Sequence, residues 1–225
     1  MTQLALFDLD HTLLTCDSDV QWSAFLSEEG FLNQDDAVKR QQFYDDYEAG
    51  CLNIDAFLQF QLAPLARFSR EELNEMHQRF MKRHILPHIT QSAKQLVQNH
   101  TERGDDVVLI SATNEFIITP IAHVFGIKNV IGVRLEIAEN QQYTGRYLGT
   151  PSFREGKVIR LNEWLAENGK TLQSYERSYF YTDSFNDLPL LELVDVPVTI
   201  NPDETLAKTA RKNGWKILDL SDERN

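Results

Sequence analysis

Two carboxylates stand two positions apart near the start of the chain, in the stretch FDLDHTLL (residues 7–14). Asp8 and Asp10 follow the apolar run Leu4–Phe7, which is typical of a strand covered on both faces. Residues i and i+2 of an extended chain point the same way, so both carboxylates are expected to face one space. Because close carboxylates repel each other when both are charged, this spacing predicts a compensating cation nearby.

Two further apolar runs end in polar side chains. The segment SATN (residues 111–114) follows VVLI (residues 107–110), and DSFND (residues 183–187) follows SYFYT (residues 178–182). Ligands of parallel α/β sheets bind outside the carboxyl ends of the strands. The sequence therefore predicts that acids and hydroxyls from three strands meet at one edge of a sheet.

A hard divalent cation is the simplest compensation for this much negative charge. Mg²⁺ prefers oxygen ligands and is usually held by one or two carboxylates together with substrate phosphate. A bound phosphate would call for a further cation, which Lys157 can supply, and for hydroxyl donors, which Ser111 and Thr113 can supply. Each signal is weak alone, since such residues commonly cap helices or lie in solvent. Their joint occurrence in this order is what favours a binding site.

The pattern of elements predicts an α/β fold with a Rossmann-like, doubly wound parallel sheet. Apolar strand patterns alternate with helical patterns such as residues 120–126 and 154–169. Two extended segments, residues 129–137 and 142–148, suit a hairpin.

One long segment departs from this alternation. From about Asp17 to about Leu86 helix signals dominate, which predicts an inserted all-helical cap. The predicted domains are a catalytic core of residues 1–16 and 87–225 and a cap of residues 17–86. The predicted cap helices are residues 20–29, 35–49, 55–65 and 70–85.

Composition narrows the class of protein. The 225 residues are 42% hydrophobic and 25% charged, with a net charge of −12, so nucleic acid and anionic membranes are disfavoured as partners. The chain has two cysteines, Cys16 and Cys51, without a paired framework, and no signal-like or membrane-length apolar run. We predict a cytoplasmic protein of undetermined oligomeric state that acts on a small molecule.

The motifs resemble those of the haloacid dehalogenase (HAD) superfamily. FDLDHTLL, LISATN, Lys157 and YTDSFNDLPLL are similar to its four motifs, in that order. The insertion is similar to the helical cap that phosphoserine-phosphatase-like members carry between the first and second motifs. The second motif departs from the family in reading SAT rather than an SGG-like form. His11 stands where many members have Gly or Ser, and we assign it no role.

The resemblance implies a Mg²⁺-dependent phosphomonoesterase. Asp8 would be the nucleophile that forms an aspartyl-phosphate, and Asp10 the general acid and then the general base. Lys157 would screen Asp8 and the phosphate. The metal would be held by the carboxylates of Asp8 and Asp183 and by the backbone carbonyl of Asp10. Asp187 would orient the metal or its waters. The phosphate would be held by Ser111, the backbone amide near Ala112, Lys157 and Asn186. Alternatively, Asn186 would position Lys157.

The cap is expected to select the substrate. Asp17 and Asp19 could meet an amine, Trp22 could stack on a ring, and Arg67, Arg40 or Arg83 could meet a carboxylate. The alternative interpretation is a solvated helix charge for each charged residue and an aromatic residue of the cap core for Trp22. Phosphoserine and histidinol phosphate both remain open as substrates.

Two other functions stay open at this stage. One is a catalytically idle HAD-like binding or regulatory domain, although none of the predicted catalytic residues is missing. The other is a phosphotransferase or mutase of the same fold, which would pass the phosphoryl group to an acceptor instead of releasing free phosphate.

Overall fold

Seven strands form one sheet in the computed structural model, which describes residues 2–220. Their order across the described sheet is β4-β3-β2-β1-β5-β6-β7, and each neighbouring pair is parallel except β3 and β4. The strands are β1 (Leu4–Phe7), β2 (Asp106–Asn114), β3 (Asn129–Ile137), β4 (Tyr143–Leu148), β5 (Ser178–Thr182), β6 (Val196–Ile200) and β7 (Lys216–Leu218).

The central strand β1 is buried on both faces. Ala5 and Phe7 belong to one hydrophobic cluster, and Leu4 and Leu6 belong to a second cluster on the opposite face. Alternate residues of a strand point to opposite faces, so a four-residue apolar run supplies two cores at once. This explains why the sequence of β1 is apolar at every position.

The register of the parallel strands aligns their carboxyl ends. Phe7 pairs with Leu109 of β2 on one side and with Tyr181 of β5 on the other. The segments that begin at Asp8, Ser111 and Asp183 therefore lie at the same edge of the sheet.

The described helices number nine, and five of them lie between β1 and β2, four of these in the inserted segment before residue 87. The side chains of Asp17, Asn33, Asn53 and Ser69 cap these four helices, each by accepting a hydrogen bond from a backbone N–H of the first turn. The helices are α1 (Ser18–Glu28), α2 (Gln34–Glu48), α3 (Ile54–Leu62), α4 (Arg70–Phe80), α5 (Gln91–Glu102), α6 (Glu115–Val124), α7 (Glu155–Glu167), α8 (Leu188–Leu191) and α9 (Glu204–Asn213).

The predicted fold class is confirmed. A parallel sheet with helices on its faces carries a helical insertion where the sequence placed it, and β3 and β4 form the expected antiparallel pair. The fourth predicted cap helix is shorter than expected, because α4 ends at Phe80 and Met81–Ile85 widen into a π-helical turn. The short strand β7 was not predicted. The division into a core and a cap domain stays a prediction.

The described part of the chain contains no helix that is long and apolar enough to span a membrane.

Candidate active site

A buried ion pair lies at the carboxyl end of β1. The Nζ atom of Lys157 is 2.9 Å from Oδ1 of Asp8 and 2.7 Å from Oδ2 of Asp187. The side chains of Lys157, Asp8 and Asp187 are 3%, 9% and 4% exposed. The ammonium group of Lys157 thus joins the end of β1 to the segment that follows β5. Its single positive charge balances only one of the two carboxylates.

The start of α7 brings Lys157 to this position. Gly156 lies so close to the preceding loop that an added Cβ atom would be 1.9 Å from the carbonyl oxygen of Pro151. The same loop is tied to β2, because the hydroxyl of Ser152 donates a hydrogen bond to the carbonyl of Ser111 at 2.6 Å. A larger residue at position 156 would push the start of α7 away, so this glycine allows the lysine to reach Asp8.

Two acids of the fourth motif face different partners. Asp183 Oδ1 accepts a hydrogen bond from the hydroxyl of Thr12 at 2.7 Å, whereas Asp187 Oδ2 accepts one from the hydroxyl of Thr182 at 2.6 Å as well as from Lys157. Thr12 therefore orients Asp183 beside Asp8, and Asp187 serves Lys157. The expected role of Asp187 in orienting a metal or its waters stays a prediction.

Both carboxylate oxygens of Asp10 have partners. Oδ1 accepts from the backbone N–H of Ser18, at the start of α1, at 2.7 Å. Oδ2 lies 3.0 Å from the hydroxyl of Thr113 and 3.5 Å from that of Ser111. The cap and β2 thus hold the Asp10 side chain from two sides.

Burial shifts the proton affinities of these groups. It raises the pKa of Asp8 to about 7, although Lys157 opposes the shift, and it raises the pKa of Asp10 to about 6 with the help of the Asp17 charge. Burial and the charge of Asp8 raise the pKa of Asp183 well above its ordinary value. Burial alone would lower the pKa of Lys157, but Asp187 and Asp8 outweigh it and raise that pKa, so Lys157 stays charged.

The donors at this edge suit a hard divalent cation. Among residues 2–220, no group of three or more His, Cys, Asp or Glu side chains is arranged to hold a metal ion. A magnesium ion needs fewer, since one or two carboxylates with carbonyl, water and phosphate oxygens suffice. Asp8 and Asp183 provide two carboxylates whose mutual repulsion raises the pKa of Asp183. A cation between them would relieve that repulsion, and the predicted metal role of Asp8, Asp10 and Asp183 stays consistent with the donor set.

The predicted phosphate-binding residues line one cavity at this edge of the sheet. This cavity has a volume of about 910 Å³ and is lined by Asp8, Asp10, Ser111, Ala112 and Lys157, among others. The backbone N–H of Thr113 donates to the hydroxyl of Ser111 at 3.1 Å, which fixes the end of β2. Their contact with a phosphate remains a prediction.

Asn186 has a different partner from the one expected. Its Oδ1 atom accepts a hydrogen bond from Nε of Arg154 at 3.0 Å, and within residues 2–220 no hydrogen bond joins its side chain to Lys157. Arg154 also donates to the carbonyl of Gly50 in the cap at 2.6 Å. Asn186 therefore orients Arg154, which joins the segment after β5 to the cap; a contact of Asn186 with phosphate stays a prediction.

Two acidic residues of the cap, which the sequence singled out as candidates to select the substrate, line the cavity. Asp17 and Asp19 both line it, together with Arg40. Asp17 caps α1 through a 2.8 Å hydrogen bond from Val20 N, and Asp19 accepts from Gln61 Nε2 at 3.0 Å. Burial raises the pKa of both carboxyl groups.

Two cap candidates lie away from the catalytic cavity, in the positions that their alternative interpretation, a core aromatic or a solvated charge, predicts. Trp22 is 1% exposed and packs edge-on against Phe80 and Phe116, so it cannot stack on a substrate ring. Arg67 does not line the catalytic cavity; its guanidinium donates to the carbonyl of Phe31 at 3.1 Å. The sequence left both interpretations open because the face that a cap helix turns to the cavity depends on how the helices pack.

Arg83, a further cap cation named above, lies at the surface. It pairs with Glu29 at 2.5 Å and is 45% exposed.

Several residues of the site were missed. Thr12, Arg154 and Tyr47 were given no role, although the hydroxyl of Tyr47 lies 3.2 Å from that of Ser184 and so joins the cap to the core. Thr12 could have been noticed, because it stands inside the first motif, two positions after Asp10. Nothing in the sequence around Tyr47 or Arg154 indicates a contact across the cavity.

Comparison with known proteins agrees with this geometry. A model of the haloacid dehalogenase-like hydrolase family matches residues 5–192. The histidinol-phosphatase of Neisseria meningitidis serogroup C (strain 8013) is 54% identical over 221 residues, which cover 98% of this chain and 100% of that protein.

Solved structures give the same picture of the fold. A protein of unknown function from Bordetella pertussis Tohama I is 43% identical, with a TM-score of 0.92 over 98% of this chain and 100% of that chain. A substrate-bound phosphoserine phosphatase is 18% identical, with a TM-score of 0.66 over 92% of this chain and 90% of that chain, and this likeness concerns the fold alone.

Proposed function

The chain belongs to the haloacid dehalogenase-like hydrolases, as its motifs predicted, and from this premise we propose that it removes phosphate from a small amine-bearing metabolite. It is a phosphatase of small phosphorylated metabolites. The observation that carries the proposal is the buried Asp8 carboxylate, held 2.9 Å from Lys157 at the carboxyl end of the central strand. Our first candidate substrate is histidinol phosphate, on which the 54% identical relative acts by name.

The reaction proceeds in two steps that share Asp10. In the first, a carboxylate oxygen of Asp8 attacks phosphorus, the bond from phosphorus to the ester oxygen breaks, and Asp10 gives its proton to that oxygen. In the second, water attacks the phosphorus of the aspartyl-phosphate, Asp10 takes the proton of the water, and the bond to Asp8 breaks. The products are the alcohol and inorganic phosphate.

The surrounding residues position these groups. Lys157 neutralises Asp8 as the phosphate approaches, so that two anions can meet. Ser111 and the backbone around Ala112 hold phosphoryl oxygens at the end of β2. Mg²⁺ is the proposed cofactor, held by the carboxylates of Asp8 and Asp183 and the carbonyl of Asp10, and when bound it supplies positive charge to the transferring phosphoryl group.

The acids of the cavity wall favour an amine on the substrate near Asp10. Asp17 and Asp19 border the space that also contains Asp10, and their pKa values are raised by burial and, for Asp19, by the neighbouring acids. A protonated amine placed there would relieve that repulsion. Aromatic residues of the cap, Phe43, Tyr44, Tyr47 and Phe57, line the same cavity and can pack against a ring. The aromatic lining, which can meet the ring of histidinol phosphate and has no counterpart in phosphoserine, supports histidinol phosphate over phosphoserine.

A cytoplasmic location remains our proposal, since both cysteines are free thiols.

The proposal is tested by phosphate release from a panel of phosphomonoesters, with Mg²⁺ and with EDTA. Histidinol phosphate, phosphoserine and glycerol phosphate form the minimal panel. We expect turnover that requires Mg²⁺ and is fastest with histidinol phosphate. Absence of turnover on every ester, by a folded protein, would favour an idle binding domain, and transfer to an added alcohol without free phosphate would favour a phosphotransferase.

Asp17→Asn is expected to weaken recognition of the amine. Asn can still cap α1 through its side-chain oxygen, so the fold should be retained. Loss of a charged hydrogen bond costs about 1.5–3 kcal/mol, which corresponds to a roughly 10- to 100-fold lower kcat/KM for histidinol phosphate. The value for glycerol phosphate, which has no amine, should change little. Asp35→Asn, at an exposed acid in the first turn of α2, is the matched control. Equal losses on both esters would contradict the assignment.

Mg²⁺ is expected to stabilise the protein more at pH 8 than at pH 5. Without metal, the folded pKa of Asp8 is about 7, above its unfolded value of 3.8, so the folded state holds a proton that the unfolded state releases. The free energy of unfolding therefore falls as pH rises from about 4 to about 7. Because Mg²⁺ binds the ionised carboxylates, lowering the pH in this window should weaken its binding, by up to about tenfold per pH unit for each proton displaced.

The measurement is the thermal unfolding midpoint with and without 5–10 mM Mg²⁺, a concentration range chosen as roughly saturating, at several pH values. The Mg²⁺-induced rise in the midpoint should grow with pH. A rise that is independent of pH between 5 and 8 would mean that the metal binds away from these carboxylates.

A further inference from the structure

A single hydroxyl group lies between two carboxylates of the catalytic cavity. Oγ1 of Thr113 is 3.0 Å from Oδ2 of Asp10 and 3.2 Å from Oδ2 of Asp19. Thr113 is 3% exposed and is the last but one residue of β2, whereas Asp10 follows β1 and Asp19 lies in the first turn of α1. Three separate segments of the chain therefore converge on this hydroxyl.

The two oxygens of Asp10 are not equivalent. Oδ1 accepts the amide hydrogen of Ser18 at 2.7 Å, so the proton of a neutral Asp10 resides on Oδ2. Oδ2 is also the oxygen beside Thr113, while the hydroxyl of Ser111 is further away at 3.5 Å. Thr113 is thus the nearest hydroxyl to the atom that must give and take the proton.

A hydroxyl has one proton and can donate it to one acceptor at a time. When Asp10 carries its proton on Oδ2, the Thr113 hydroxyl can donate to Asp19 and leave the Asp10 proton free for the substrate. When Asp10 is a carboxylate, the same hydroxyl can turn and donate to Oδ2. Asp19 keeps its place in both cases, because its Oδ1 accepts from Gln61 Nε2 at 3.0 Å.

We propose that Thr113 is a positioning residue for Asp10, and that Asp19 is the second acceptor that holds the Thr113 hydroxyl between the two carboxylates. The inference rests on the proposed phosphatase function and adds a role that differs from substrate binding. No atom is transferred to or from Thr113 in the reaction; only the direction of its O–H bond changes. The SAT form of the second motif thereby gains a purpose, since a glycine at position 113 has no hydroxyl.

The test compares two esters with leaving groups of different basicity. An alkyl ester without an amine, here glycerol phosphate, needs a proton on its leaving oxygen, and its use keeps amine recognition by Asp17 or Asp19 out of the comparison. Nitrophenolate, in contrast, leaves p-nitrophenyl phosphate with little help. The ratio kcat/KM reports on the steps up to loss of the alcohol, in which Asp10 acts as the acid.

Thr113→Val, which keeps the shape and removes the hydroxyl, should lower kcat/KM for the alkyl ester by roughly 10- to 100-fold, part of the usual contribution of a general acid. The loss for p-nitrophenyl phosphate should be below about threefold by the same argument. Thr113→Ser restores a hydroxyl and should stay close to wild type on both esters.

Thr199→Val is the matched control. Thr199 is a fully buried threonine of β6 whose hydroxyl lies 3.4 Å from the carbonyl of Lys216, and it does not line the catalytic cavity. The same substitution there should leave both esters unaffected. Asp19→Ala removes the second partner and should lower kcat/KM for the alkyl ester selectively, by less than Thr113→Val does. It carries the test if Thr113→Val does not fold.

Selective loss on the alkyl ester, rescued by serine, supports the inference. Equal loss on both esters, or no loss in Thr113→Val, overturns it while leaving the phosphatase function intact. A wild-type enzyme that releases no phosphate from either ester would be seen before any variant is compared, and it would overturn the proposed function and this inference together.

Discussion

Replacement of Asp8 by Asn is expected to reduce phosphate release by about 10⁴-fold or more, as for removal of a catalytic nucleophile in other hydrolases. The amide of Asn is too weak a nucleophile to attack phosphorus, and it also removes one proposed metal ligand. The shape of the side chain is kept, and Lys157 retains Asp187 as a partner at 2.7 Å. The fold should therefore survive the change.

Two measurements separate loss of the nucleophile from loss of structure. Acid quenching during turnover of a ³²P-labelled ester should trap label on the wild-type protein and none on Asp8→Asn. Thermal unfolding in EDTA should show a variant at least as stable as wild type at pH 8, because a buried carboxylate with a pKa raised to about 7 has been removed.

The pH dependence gives a third check. The fall in stability of the metal-free protein between pH 4 and pH 7 should be shallower in Asp8→Asn, since one of the groups that causes it is gone. Asp35→Asn, at an exposed position, should match wild type in all three measurements. More than about one-hundredth of wild-type turnover in Asp8→Asn would place the nucleophile elsewhere.

The position of the site could be predicted because parallel strands end at a common edge. β1, β2 and β5 were visible as apolar runs, and their register places Asp8, Ser111 and Asp183 together. The sequence offered Lys157 as a candidate cation, and the motif resemblance placed it beside Asp8, although a lysine early in a helix is usually solvated. The structure shows why this one is not, since α7 begins against the Pro151 carbonyl at Gly156.

The partners of individual side chains could not be predicted. Asp183 and Asp187 look alike in the sequence, yet the turn of residues 185–187 directs one toward Thr12 and the other toward Lys157. Trp22 belongs to a helix whose cavity-facing side is set by packing against Phe80, which is distant in sequence. Such facts depend on contacts between helices, for which local periodicity carries no signal.

Lys157→Met is expected to cost both activity and stability. The lysine is the only cation within hydrogen-bonding distance of Asp8 or Asp187 among the described residues, and all three side chains are nearly fully buried. Removing one partner of a buried ion pair typically costs about 3–5 kcal/mol, because an uncompensated charge remains. We expect a fall in the unfolding midpoint on the order of 10 °C for a chain of this size.

The loss of stability should depend on pH in a stated direction. Without Lys157 the pKa of Asp8 loses the charge that holds it down, so at pH 5 Asp8 can take up a proton and its repulsion with Asp187 disappears. The destabilisation should therefore be largest near pH 8 and smaller at pH 5. Mg²⁺ at pH 8 should recover part of it by neutralising Asp8.

Turnover of Lys157→Met should fall by about 10²- to 10³-fold or more even where the protein is folded, since a fixed charge beside the reacting group has been removed. Lys170→Met is the matched control: Lys170 pairs with Asp106 at 2.5 Å, but its side chain is 39% exposed. An exposed pair contributes about 0–1 kcal/mol, so this variant should keep wild-type turnover and nearly wild-type stability. If the two variants behaved alike, the buried lysine would be a structural ion pair without a part in catalysis, and the charge that lets Asp8 meet a phosphate would have to come from the metal alone.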